Sequence, residues 1–177
     1  MALSKIDAAN FLTGTIPQGN VANASLGAVT ALPGAIATGK VLQVVTCTAD
    51  TTERSSNSTS FVTASNTIFV NITPSATSSK IYVLASGSGL GLVATYNSHY
   101  TIYRDSTNLA TSSTGGYNII RTNADNSYGN YCMSFLDSPS STSQIKYQVY
   151  FKSEGAANTV KLNTNGQGLI TAFEIAG

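Results

Sequence analysis

From Lys40 onward, short runs of β-branched and aromatic residues alternate with clusters of Ser, Thr, Asn and Gly, the pattern of strands separated by turns. The pattern predicts strands at 40–48, 59–63, 66–73, 79–87, 99–105, 117–122, 130–137, 145–153, 159–163 and 168–176. Alternation is plainest in "IKYQVYFKS", where Ile145, Tyr147, Val149 and Phe151 oppose Lys146, Gln148, Tyr150 and Lys152. In the last run the same rule groups Leu169, Phe173 and Ile175 on the core side, with Glu174 on the wet side. Short strands with turns between them and no helical run of useful length predict an all-β fold: an antiparallel β-sandwich, with a jelly roll as the expected topology.

Residues 1–39 follow a different rule. Ile6, Phe11, Ile16, Val21 and Leu26 recur every five positions, and Ala9, Gly14, Gly19 and Ala24 stand two places before the last four. A period of five fits neither a helix nor a strand. No charge occurs between Asp7 and Lys40, which suits a segment that leaves water on assembly, because a buried ion needs a partner. The chain is therefore expected to have an extended N-terminal assembly arm, 1–39, anchored through those five apolar residues, and a β-sandwich domain, 40–177.

Composition narrows the function classes. The 177 residues suit one sandwich core, and only 10% are charged, while Ser and Thr number 46 and Asn 15. Net charge is +1 without a run of like charges, so neither nucleic acid nor an anionic membrane surface is an expected partner. No apolar run reaches the length of a signal-peptide core or a membrane span, and a cytoplasmically made product is expected. On that expectation the sequons at Asn23, Asn57 and Asn71 stay unmodified. A buried surface with so few ions could also pack against two further copies, which makes a homotrimer the expected assembly.

Candidate chemistry is sparse. His99 is the only histidine, no GxSxG turn accompanies it, and it is expected to be a surface or partly buried strand residue whose replacement is tolerated. The glycine run "SGSGLGLV" has Leu92 where a dinucleotide fingerprint needs glycine, and is expected to form a loop or bulge. "RTNADNSYGN" lacks the closing Glu of a calcium loop and reads as a turn. Cys47 and Cys132 have no CxxC or Cys/His cluster around them; buried thiols, one disulfide, or reactive thiols all remain open. No catalytic residue, metal site or cofactor is expected. The loops rich in Asn, Ser and Gly hold Tyr96, Tyr100, Tyr117, Tyr128 and Tyr131, which could serve recognition or cap the sandwich and its subunit contacts.

The blocks "GKVLQVVTCTADTTERSSNSTSFVTASNTIFVNITPSATSSKIYVLASGSG", "YTIYRDSTNLA", "MSFLDSPSSTSQIKYQVYFKS" and "GLITAFEIAG" resemble a domain common in structural proteins of tailed bacteriophages, notably marine and cyanobacterial ones. "ANFLTGTIPQGNVANASL" is similar to the five-residue repeats of phage fibre shafts and, more distantly, to pentapeptide-repeat coils. The resemblance implies a virion structural protein, made in the host cytoplasm and displayed as an oligomeric capsid decoration or a short tail fibre or spike. Its partners would be other capsid or tail proteins. The alternative is a tail-fibre module that binds host-surface polysaccharide through the five tyrosines.

Overall fold

A computed structural model describes residues 40–93, 95–121 and 124–177, so the predicted arm and its anchors Ile6, Phe11, Ile16, Val21 and Leu26 lie outside the described residues. The described part contains eleven strands and no helix. They are β1 (Val41–Thr46), β2 (Arg54–Ser56), β3 (Phe69–Ile72), β4 (Lys80–Gly91), β5 (Ser98–Arg104), β6 (Thr107–Asn108), β7 (Asn118–Ile120), β8 (Ser127–Asp137), β9 (Ile145–Ser153), β10 (Val160–Leu162) and β11 (Gly168–Ile175).

All pairings are antiparallel. In the first sheet β8 occupies one edge of β4 from Ile81 to Gly91, while β11 and then β10 share the other edge. β1 flanks β11 and β2 flanks β10. In the second sheet β9 lies between β3 and β5, and β6 and β7 share the far edge of β5. Taking β6 with β7 and β10 with β11 as single broken strands and β2 as an edge addition leaves eight strands, which, counted afresh from 1 to 8 along the chain, have the sheet orders 1-8-3-6 and 2-7-4-5. That interleaving is the jelly roll, two Greek keys folded face to face.

The core is filled from both sheets by side chains of one parity: Ile81, Val83, Ala85, Met133, Ile170 and Ala172 meet Val70, Ile102, Tyr147, Val149 and Phe151. Three rings stack within it, Tyr100 on Tyr131 at 5.1 Å between centroids and Tyr100 on Phe151 at 6.4 Å. The glycine run is part of this packing and forms no loop or bulge. Ser86 to Gly91 continue β4, and a Cβ at Gly87 or Gly89 would stand 2.3 Å from the hydroxyl of Tyr131 or Tyr100 respectively. Glycine here makes room for two phenols, the close approach that glycine inside a strand marks.

Two further expectations are corrected. Residues 59–63 contribute a single bridge, Val62 to Phe151. There the Ser58 hydroxyl accepts from Ser60 N at 3.1 Å and donates to Ser60 O at 2.7 Å, so local side-chain bonds replace a ladder. In β11 the facing is reversed: Ile170, Ala172 and Glu174 point inward, and Leu169, Phe173 and Ile175 point out. Glu174 is 1% exposed. Its carboxylate accepts bonds from Ser75 N (2.7 Å), Ser75 Oγ (2.6 Å), Ser79 Oγ (2.7 Å) and Gln43 Nε2 (2.6 Å), which is how an acid is accommodated inside.

Candidate interaction surfaces

The reversal of β11 decides what the first sheet presents outward. Val44, Phe173, Tyr82 and Leu136 stand side by side across β1, β11, β4 and β8. The next row is Thr46, Thr171, Leu84 and Ser134. Tyr82 and Phe173 are in ring contact at 6.1 Å, while Val44 and Leu136 remain 56% and 51% exposed. Lys80, opposite Ile175, supplies a charge at the border. The sequence signal for this face was present: "KIYVLASG" and "GLITAFEI" are apolar at both parities, and an apolar run without alternation marks a strand covered on both sides.

Farther along β4 and β8 the same face becomes polar. Ser86 is opposite Cys132, and Ser88 is opposite Asn130. With Tyr128, Asn165, Gly166 and Gln167 they border two adjoining shallow depressions of about 320 and 420 Å³. Tyr128, 62% exposed, is the aromatic side chain at their rim.

The five candidate tyrosines do not converge. Tyr100 and Tyr131 are buried core residues, so neither can touch a receptor. This corrects the loop-based expectation: each sits on a strand, and its ring fills space left by glycine. Tyr96 packs its ring against Gly155. Tyr117 is exposed, but its hydroxyl donates to the Ser134 carbonyl on β8. Ser134 and Tyr128 are six residues apart on that strand, about 20 Å. Tyr128 is therefore the one of the five that fits a recognition role in the depressions.

The outer face of the second sheet has another character. Tyr103 stacks on Tyr150 at 4.1 Å, Phe61 lies 6.1 Å from Tyr103, and Lys152 Nζ stands 4.8 Å over the Phe61 ring. Lys146 Nζ is 4.6 Å over Phe69. His99, on this sheet, is 2% exposed, more deeply buried than its sequence setting suggested. Gly116 covers it, and burial, then the charge of Lys152, holds its pKa below the ordinary value against an opposing pull from Glu154.

The buried acids Asp50, Asp137 and Glu174 are held by hydrogen bonds within the fold. Asp137, at the end of β8, accepts both its oxygens' bonds from Arg104 Nη1 at 2.9 Å and a third from the Tyr147 hydroxyl at 2.7 Å. Asp50 accepts from Thr67 N and Thr52 N; these bonds, with the Arg54 charge, outweigh burial and lower its pKa. Among the described residues no group of three or more His, Cys, Asp and Glu could hold a metal ion, and no helix is long and apolar enough to cross a membrane. Cys47 and Cys132 are both free thiols; Cys47 Sγ accepts from Ile170 N at 3.4 Å, and Cys132 is exposed.

No family model matches the sequence, and no curated protein matches it. Among solved structures the chain is similar to one of the infectious bursal disease virus Gx strain, with TM-score 0.42 and 14% identity, over 76% of this chain and 32% of that one. It is also similar to the infectious bursal disease virus VP2 subviral particle, with TM-score 0.41 and 18% identity, over 76% and 33%. The chain spans about a third of the length of these two.

Proposed function

We propose that this protein is a structural component of a virion, of the tailed-phage type, displayed as a homotrimeric capsid decoration or short tail fibre or spike and anchored through residues 1–39. It works by assembly and has no turnover chemistry. The observation that carries the reading is the apolar, nearly uncharged outer face of the first sheet, on a jelly roll whose buried acids are engaged in structural bonds. A surface of that kind on a folded domain marks association. The sequence blocks resembling tailed-phage virion proteins supply the class of particle.

Gradient-purified particles of the source virus are the test. The chain should be found in them by mass spectrometry, at a copy number divisible by three. Absence from particles, with the protein accumulating free in lysates, would refute the proposal.

A second reading, host-glycan recognition, is favoured by one feature: Tyr128 exposed beside Ser88, Asn130, Asn165 and Gln167, an aromatic face among uncharged hydrogen-bonding groups. Host envelope polysaccharide should then be retained by the protein without being shortened, and Tyr128→Ala should abolish retention. Release of shortened chains would instead mean an enzyme.

A further inference from the structure

We infer that the outer face of the first sheet is a self-association surface, and that its occupant is a second copy of this chain. The inference rests on the oligomeric virion reading above and names the surface that makes the oligomer.

The distribution of exposed side chains carries the first step. Of the nine large hydrophobic residues exposed among the described residues, only Tyr117 and Ile119 lie off the first sheet. Single exposed apolar residues are normal on any protein, but concentration on one sheet is not. Alternation puts Val44, Leu84, Leu136, Leu169 and Phe173 on the solvent side of that sheet, opposite the core, so none of them is needed to close the sandwich.

Charge selects the occupant. The apolar rows hold no ion; Lys80 stands at their border, and at the far end of β4 Lys161, opposite Leu90, is paired with Glu53 at 2.7 Å. Each further copy presents the same neutral surface, so copies turning this face toward a shared threefold axis bury no unpaired charge and set no like charges against each other. The second sheet offers the contrast: Lys146 and Lys152 project from its outer face, and two copies meeting there would oppose like charges. An acidic partner would be drawn to that sheet, and a neutral apolar one to the first.

Size agrees with this choice. Four strands span about 14 Å across and the twelve residues of β4 about 40 Å along, a planar footprint of roughly 550 Å². Corrugated by side chains, that approaches the ~800 Å² per partner of an ordinary specific interface. The polar end of the face provides a rim of Ser and Asn around the apolar centre, the usual anatomy of such contacts.

The full chain should sediment as an oligomer at about 10 μM, a concentration at which micromolar self-affinity is visible. The double variant Leu84→Lys/Leu136→Lys should weaken association at least about 100-fold, because it places charges at the centre of the contact. Its thermal midpoint under monomeric conditions should match that of the parent, since both side chains face solvent. Asn71→Lys on the second sheet should leave association unchanged. Cys132 reports independently: it lies on the same face, so its alkylation should slow as the parent concentration rises, and not in the double variant. If the parent is oligomeric but the double variant and the Cys132 rate are unaffected, this face is not the interface and the oligomeric reading stands without it. A parent that stays monomeric throughout would overturn both.

Discussion

Ser79 Oγ donates to Glu174 Oε1 at 2.7 Å inside the sandwich, joining the segment before β4 to the last strand through a buried carboxylate. Burial alone would raise the Glu174 pKa, but bonds from Ser75, Ser79 and Gln43 outweigh it and hold the value at about 2, against 4.5 for the free group. Because the folded value is the lower one, this group's contribution is complete above pH 4.5 and is lost as pH falls through the interval down to about 2. Its full size is roughly 3 kcal/mol.

Acid unfolding should therefore steepen below pH 4.5. Glu174→Gln should lower stability at pH 7 by about 2–4 kcal/mol and flatten the profile between pH 4.5 and 2, measured by urea melts across pH. A parent profile that is already flat there would contradict the bonding assigned to Glu174.

The space over Gly89 provides a second test. An alanine Cβ there would lie 2.3 Å from Tyr100 Oη and 3.0 Å from Ile120 Cδ1, and Tyr100 is held by its bond to the Lys161 carbonyl at 3.0 Å. Gly89→Ala should cost about 1–3 kcal/mol through overpacking. Adding Tyr100→Phe should recover part of the loss, because it removes the clashing oxygen although it leaves Lys161 O unbonded. A Gly89→Ala variant as stable as the parent would show that the ring shifts freely.

These two positions also show where the sequence could be read and where it could not. Strand β9 was legible to the residue because Ile145, Tyr147, Val149 and Phe151 alternate with polar partners, and period two then fixes both the element and its facing. In β11 both parities are apolar, so periodicity gave the strand and could not say which side met the core. The answer depends on Val83 and Ala85 opposite Ala172 and Ile170 in β4, and on donors at Gln43, Ser75 and Ser79 for the acid between them. The glycines at 87 and 89 looked like loop residues because the phenols that need their space come from β8 and β5. Tyr100 and Tyr131 were misjudged for the same reason: polar neighbours in sequence do not reveal a stacked pair formed between two sheets. For the outer face of the first sheet, the doubly apolar runs of β4 and β11 signal a second covered side, but which residues share it follows only from the register of four strands.

Removal of Asp137 should expose the cost of unpaired groups. Arg104 and the buried Tyr147 hydroxyl both bond it, so Asp137→Ala should destabilise by about 2–4 kcal/mol, chiefly through the donors left behind. Tyr147→Phe in the Asp137→Ala background should cost less than in the parent, a coupling readable from a double-mutant cycle of denaturant melts. Strict additivity would mean that the three groups do not act as one network.

His99 should make the fold sensitive to mild acid. Its folded pKa lies below the free value of 6.5, from burial first and the Lys152 charge second, with Glu154 opposing. The native state thus keeps the ring neutral while the unfolded chain takes up a proton, so stability falls as pH drops through 6.5 toward the folded value. This loss begins at pH 6.5, above the 4.5 at which that of Glu174 begins. The thermal midpoint should decline between pH 7.5 and 5.5, and His99→Gln should remove most of that decline. The same variant should cost about 1–3 kcal/mol at pH 7.5, because the ring is 2% exposed and lies so close to Gly116 that a Cβ added there would stand 3.0 Å from Nδ1. A parent midpoint constant from pH 7.5 to 5.5 would show that His99 reaches solvent and titrates as an ordinary surface histidine.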